Sequence, residues 1–354
     1  MIGYYVHHVG RGHLHRALAV AAELEHRGET VTGLSSLERP PGWAGPWETL
    51  PADDGAPAPV DPTAHGRLHW APRHHDGLRD RMARLGAWIA AQRPAAVVVD
   101  VSVEVALLTR LHGVAVAYVV LPGHRGDPAH LLGLGVADRL VGCWPREARG
   151  MVEGLPSETV RRLVPVGGLS RFDGREPGRR GQAVGRVDDA GPRRVLLLSG
   201  AGGAAPRTEL VARARHSSPG WRWTVLGVAG ASRADWVDDP WPALTDADVV
   251  VTHAGQNAVA ETAWARKPAV VVPQERPHAE QVTTAGVLSR GRWPVEVVPS
   301  WPEDGWADRL ARVAALDATS WERWSDGSAT RRFADVVLDL VAEVGSARSG
   351  PRVS

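Results

Sequence analysis

Cysteine is almost absent from this 354-residue chain: Cys143 stands alone, which excludes an intramolecular disulfide and any multi-cysteine zinc site. Lysine is equally scarce. Of 41 basic residues only Lys267 is a lysine, and this arginine-heavy usage, alongside abundant Ala, Gly and Val, reads as codon bias rather than function. An excess of either charge sign is missing too. The 41 basic and 40 acidic residues leave a formal net charge of +1, so no whole-molecule field recruits nucleic acid. No window approaches the roughly 18 uninterrupted apolar residues of a membrane-spanning helix. The N-terminus lacks the basic and apolar regions of a signal peptide, so the fold is expected to begin at residue 1, in a reducing, cytoplasmic compartment, with peripheral bilayer contact left open. What is present, 44% hydrophobic and 23% charged residues, suits a globular chain long enough for two domains.

Short β-branched runs alternate with longer Ala/Leu/Arg segments, the pattern of parallel strands joined by crossover helices. Ile2–Val6 reads as a strand and His13–Arg27 as a helix with Leu14, Ala17, Leu18, Ala21 and Leu24 on one face. Further strands are expected at Thr30–Leu34, Ala95–Asp100, Val114–Leu121 and Arg139–Gly142, with helices at Asp76–Gln92 and Val103–His112. Pro40–His75 breaks this rhythm as a long irregular excursion, with one short strand near Trp47–Leu50. Around Val164–Gly191 the pattern lapses, and it restarts at Arg194–Leu198. Strands at Arg222–Leu226, Val249–Thr252, Ala269–Val272 and Val295–Val298 follow, with helices near Arg207–Arg215, Asn257–Arg266, Ala279–Ser289 and Ala329–Val344. The expected class is α/β, with two Rossmann-like domains of parallel sheet over residues 1–165 and 166–325, and a last helix and tail over 326–354.

Ligands of such sheets bind where strands end and helices begin. At the first junction Gly10 and Gly12 allow close backbone approach, and His13 stands at a helix start, suited to a general base. A tight turn with an incidental histidine explains the same residues. Asp100 ends a strand and is placed to orient His13; the plainer role is a helix cap, taken by Asp100 or Ser102. The richest junction runs from Thr252 to Glu261. His253, Gly255, Gln256 and Asn257 there can present amides and the positive end of a helix to a diphosphate, and Glu261, four residues after Asn257, can accept from two ribose hydroxyls. Ser199, Gly200 and Gly202 form a second amide cradle, and Glu280 and Gln281 begin a helix where they can grip sugar hydroxyls. The acidic pairs Asp53–Asp54, Asp188–Asp189 and Asp238–Asp239 read as exposed loop charges, and no metal site is expected.

At these residues the sequence resembles two-domain glycosyltransferases of the GT-B fold. His253-x-Gly255-x-Asn257-x-x-x-Glu261, followed by Pro273 and Glu280-Gln281, is similar to the signature of UDP-glycosyltransferases of small molecules. Asp248–Asn257 and Arg266–Gln281 also resemble the C-terminal domain of the bacterial transferase that adds N-acetylglucosamine to lipid I. That enzyme has a longer glycine-rich front loop and an Arg at the position of His253. The small-molecule group begins its signature with a Trp that stacks the base, for which Trp236 or Trp241 would serve here. The resemblance implies domains facing across a cleft, a hinge near Val166–Gly168 and a last helix returning to the first domain. It implies an inverting, metal-independent transfer from a UDP-sugar, with no cofactor, and with His13 as base and Asp100 as its partner. The acceptor, a small molecule or lipid-linked sugar with an apolar portion, is expected against two segments of irregular composition, the excursion Pro40–His75 and the loop Pro122–Leu134. Gly10-x-Gly12-His13-x-x-Arg16 is similar to the front loop of UDP-sugar hydrolases of the same fold. A hydrolase, or a non-catalytic nucleotide-sugar-binding helper, therefore stays open beside the transferase.

Overall fold

The computed structural model describes residues 1–8, 11–55, 58–178, 191–199, 206–227, 237 and 239–348. The first elements are β1 (Ile2–Val6), α1 (Arg11–His26), β2 (Val31–Ser35), β3 (Trp47–Thr49), α2 (Asp76–Gln92), β4 (Ala96–Asp100), α3 (Val103–Leu111) and β5 (Ala115–Val120). They are followed by β6 (Gly123–His124), α4 (Pro128–Val136), β7 (Arg139–Gly142), β8 (Val152–Glu153), α5 (Ser157–Val160) and β9 (Leu163–Pro165). The rest comprises β10 (Arg193–Leu198), α6 (Thr208–His216), β11 (Trp221–Leu226), α7 (Trp241–Asp246), β12 (Val249–Thr252) and α8 (Gln256–Trp264), then β13 (Ala269–Val271), α9 (Glu280–Arg290), β14 (Val295–Val297), α10 (Trp306–Ala314) and α11 (Ala329–Arg348). The chain divides into two compact units. Unit 1 comprises Met1–Cys143, Glu153–Val166 and Thr330–Ser354; unit 2 comprises Trp144–Val152 and Gly167–Ala329.

Unit 1 is built on a seven-stranded sheet in the order β3-β2-β1-β4-β5-β7-β9, parallel throughout. Its central strands are buried along their whole length, which is why they read as continuous Val/Ile/Tyr runs rather than alternating ones. Two helix starts bear on the site. The Ser102 hydroxyl accepts from the Val105 amide and caps α3, so Asp100 is not spent on capping. Asp127 caps α4 ahead of Pro128. Pro122–Leu134 is therefore not the irregular loop expected from its composition: Gly133 and Gly135 weaken the helix signal, yet a Cβ on Gly133 would meet Val103 Cγ2 at 2.8 Å, so the glycine is what lets α4 pack on α3. The helix α11 buries Phe333, Ala334, Val337 and Leu340, and Asp335 accepts from Arg27, which directly follows α1.

Unit 2 carries a five-stranded parallel sheet, β11-β10-β12-β13-β14. Val195, Leu197, Val251, Trp223 and Trp306 form its core on one face, with the two indoles edge to face at 5.2 Å. The helix α8 is buried from Ala258 to Trp264. Among the described residues no helix is long and apolar enough to cross a membrane.

Candidate active site

The strands β1 and β4 pair in register, so Val6 lies beside Asp100 at the carboxyl end of the sheet, where α1 begins. Asp100 is sealed from solvent, whereas the His13 side chain stays 17% exposed; of the two, the imidazole is open to a ligand. His13 Nδ1 lies 2.8 Å from Asp100 Oδ1. Arg16, one helical turn on, donates Nε to Oδ2 at 2.8 Å and Nη2 to Oδ1 at 2.7 Å, and the Tyr4 hydroxyl reaches Oδ2 at 3.4 Å. Burial alone would raise the Asp100 carboxyl, but the Arg16 charge and the hydrogen bonds from His13 and Arg16 outweigh it and hold the group well below the usual range. An ionised carboxylate only accepts, so Nδ1 carries the ring proton and Nε2 of the neutral ring keeps its lone pair. Val101, directly after Asp100, has φ 65, a left-handed conformation that a β-branched residue adopts at a cost of order 1–3 kcal/mol. Gly12 lies in the first turn of α1; Gly10 falls outside the described residues.

In unit 2, Gly255 starts α8 without any side-chain cap, so the first-turn amides of that helix have no side-chain acceptor at its N-cap. His253 Nδ1 accepts from the Gly255 amide at 3.0 Å, which leaves the ring proton on Nε2. Burial, with Arg276 nearby, pushes His253 down to about 4, so near neutral pH it is an uncharged donor. A Cβ on Gly255 would sit 2.5 Å from His253 Cε1, so only glycine lets the imidazole fold back here. The Gln256 amide nitrogen is buried without a hydrogen-bond partner, and Asn257 is half-buried beside it. Glu261 is buried, with Arg171 Nε 2.9 Å from its Oε1; burial pushes the carboxyl up to about 7 although Arg171 opposes it. Gln281 is buried and accepts from the Gln274 amide, bracing the loop after β13, and Glu280 opens α9. Ser199 is buried and its amide donates to Leu226. Gly200, Gly202 and Trp236 lie outside the described residues, and Trp241 packs on Phe172 at 4.9 Å.

Residues 233–288, which contain His253, Glu261, Glu280 and Gln281, match the glycosyltransferase family 28 C-terminal domain. Solved structures with similar folds include the glycotransferase of kitacinnamycin, with a TM-score of 0.65 and 17% identity over 96% of this chain and 98% of that one. Another is MurG of Acinetobacter baumannii, with a TM-score of 0.61 and 16% identity over 96% and 99%. The chain has the GT-B fold. A similar GT-B fold is also found in the calicheamicin glycosyltransferase CalG4, with a TM-score of 0.62 and 17% identity over 97% and 98% of the two chains. In sequence, the UDP-N-acetylglucosamine--N-acetylmuramyl-(pentapeptide) pyrophosphoryl-undecaprenol N-acetylglucosamine transferase of Sorangium cellulosum is 28% identical over 70% of this chain and 63% of its own. The enzyme of the same description from Cupriavidus necator is 31% identical over 44% and 50%. The matched stretch thus spans less than two thirds of these curated relatives.

Two side chains take places that the sequence pattern does not give. Arg16, which the sequence marks only as the end of the Gly10-x-Gly12-His13-x-x-Arg16 motif, is one, as the partner of Asp100; its spacing of three from His13, which puts both on one helix face, is the signal that points to it. Asp53 is another. It is not an exposed loop charge but is paired with the fully buried Arg81 at 3.1 Å, because a guanidinium at 1% exposure needs a counter-charge. Asp54 and Asp239 are exposed, and residues 188, 189 and 238 lie outside the described set. His69, Asp127 and His130 place ligand-type atoms within 4.8 Å of one another. Arg125 donates to His130 Nε2 at 2.8 Å, so Nδ1 holds the proton it gives to Asp127 and has no lone pair for a metal. A cavity of about 640 Å³ lined by Arg110, Ala115, Asp138 and Arg139 lies at the amino ends of β5 and β7, away from Asp100.

Among the described residues, three histidines bear on stability between neutral pH and pH 4.5. Burial pushes His7, His130 and His253 from 6.5 down to about 4, so between those values the unfolded chain takes up protons that the folded chain refuses. Their stabilisation is present above pH 6.5 and is lost as pH falls toward 4. Glu261, raised from 4.5 to about 7, acts oppositely: its contribution is present below pH 4.5 and is lost as pH rises through 7. With three groups against one, the melting temperature read by tryptophan fluorescence should fall between pH 7 and pH 4.5. A flat or rising curve would show that these rings are not held neutral.

Proposed function

We propose that this chain is an inverting, metal-independent glycosyltransferase that moves a sugar from a UDP-sugar to a hydroxyl of an acceptor with an apolar portion. The observation that carries the reading is the His13–Asp100 hydrogen bond of 2.8 Å, with the carboxylate sealed and the imidazole open. His13 Nε2 takes the acceptor hydroxyl proton as that oxygen forms its bond to the anomeric carbon. The bond from that carbon to the diphosphate breaks, and the nucleoside diphosphate leaves with the electron pair. Asp100 fixes the tautomer and, with the ring protonated, faces a positive charge. In unit 2 the uncapped amides of α8, the neutral His253 and the unpartnered Gln256 amide offer donors to the diphosphate, which is the role a magnesium ion fills elsewhere. The curated relatives are named for a UDP-linked donor and an undecaprenol-linked acceptor, which favours UDP and leaves small-molecule and lipid-linked acceptors both in view. A cytoplasmic location with peripheral bilayer contact goes with this reading, and no cofactor is invoked.

Calorimetric titration with UDP in EDTA should show binding. Glu261→Ala should weaken it by about 10–100-fold, the loss of hydrogen bonds from two ribose hydroxyls to a buried carboxyl group. Unchanged affinity would remove Glu261 from the ribose site. A panel of hydroxylated small molecules and lipid-linked sugars, run against several nucleotide sugars, separates the activities: a donor consumed as fast without acceptor as with the best one marks a hydrolase, and binding without consumption marks a helper protein.

A further inference from the structure

We infer that Arg16 is a positioning residue that offsets the charge of Asp100, so that Asp100 orients the His13 ring without locking it in the protonated state. The inference rests on the reading of His13 as the base. The guanidinium spans both carboxylate oxygens, at 2.8 and 2.7 Å, and Oδ1 is the same oxygen that His13 Nδ1 meets at 2.8 Å. Both members of the ion pair are buried, at 4% and 0% exposure, so solvent does little to screen them from the imidazole. An unopposed buried carboxylate beside a histidine favours the imidazolium, and an imidazolium has no lone pair with which to remove a proton. The bidentate arginine supplies the opposing charge at nearly the same distance from the ring: its Nη2 lies 3.0 Å from Nδ1, against 2.8 Å for Asp100 Oδ1.

None of the other described neighbours does this. From β1, the Tyr4 phenol is pushed well above its usual range by burial and by Asp100, so it stays neutral and only donates. The His7 ring, 5.9 Å from that of His13, is pushed down to about 4 by burial and by His13 itself, so it too is neutral. Cys143, which follows β7, is a buried thiol. Among the described residues facing His13, Arg16 is thus the permanent cation.

The test is an NMR titration of the His13 ring in the full chain, with no substrate present. Arg16→Gln should move the midpoint up by a unit or more relative to wild type, a tenfold change in proton affinity, whereas Arg16→Lys, which keeps the charge, should move it less. Asp100→Asn should move it down. Arg16→Gln/Asp100→Asn removes both charges at once, so it should return to within a few tenths of wild type. That double variant avoids an unpaired buried charge and serves if a single variant does not fold. A midpoint unchanged in Arg16→Gln, or a double variant displaced by a unit or more, overturns the inference. Because the titration needs no turnover, a chain that consumes no nucleotide sugar would defeat the transferase reading and leave this result standing.

Discussion

His13→Ala should lower the turnover of a UDP-sugar with its acceptor by about 10²–10⁴-fold, the range a well-placed general base contributes. UDP affinity should hardly change, because every residue assigned to the nucleotide lies in unit 2 and His13 lies in unit 1. The split matters: a loss confined to kcat with KM for the donor preserved identifies an interaction made as the proton moves. A folded variant with full activity would pass the base role to another group, such as His15, or to the substrate itself. Asp100→Asn should cost less than loss of the ring, since Nε2 remains available in a poorer orientation. The product's anomeric configuration is an independent check, because retention of the donor's configuration would rule out a single displacement.

Much of this fold is visible in residue patterns because its strands are buried on both faces. Ile2–Val6, Arg139–Gly142 and Val249–Thr252 are short runs with largely apolar, buried residues whose ends coincide with the observed strands, and Asp76–Gln92 is bounded by the residues that cap it. The helix α4 is hidden by its two glycines, which weaken a helix alone, although Gly133 suits one pressed against α3 and Pro128 suits its first turn. The strand β9 is three residues at a sheet edge ending in Pro165, too short to register as a periodic run. At the site, the strand-end positions of Asp100 and His253 follow from local pattern and the rule that ligands gather at the carboxyl ends of parallel strands. Partnerships over long sequence separations do not. Arg16 meets Asp100 across 84 residues, and Arg171 meets Glu261 through the tertiary packing of unit 2. In a chain so rich in arginine, neither side chain stands out by composition.

The ion pair at the heart of unit 1 should also dominate the effect of mutation on stability. Asp100→Leu removes the acceptor of Arg16 and leaves a guanidinium at 4% exposure without its counter-charge, a change that typically costs about 3–5 kcal/mol. Urea unfolding followed by tryptophan fluorescence would show this as a fall in midpoint of about 1–5 M, since m is about 1–3 kcal/mol per M for small domains. Arg16→Met/Asp100→Leu should recover much of the loss, because replacing a whole buried pair by apolar side chains of similar volume is often neutral or better. The recovered protein would hold its sheet together without the carboxylate that orients His13, so restored stability with turnover still depressed would assign Asp100 a role in the reaction beyond the fold. If Asp100→Leu unfolds at the wild-type midpoint, Arg16 has found another partner or reached solvent, and the buried clamp is not what holds this corner of the unit. Should the double variant be as unstable as the single one, the loss comes from the missing shape of the carboxylate and its bonds to His13 and Tyr4, rather than from an unpaired charge.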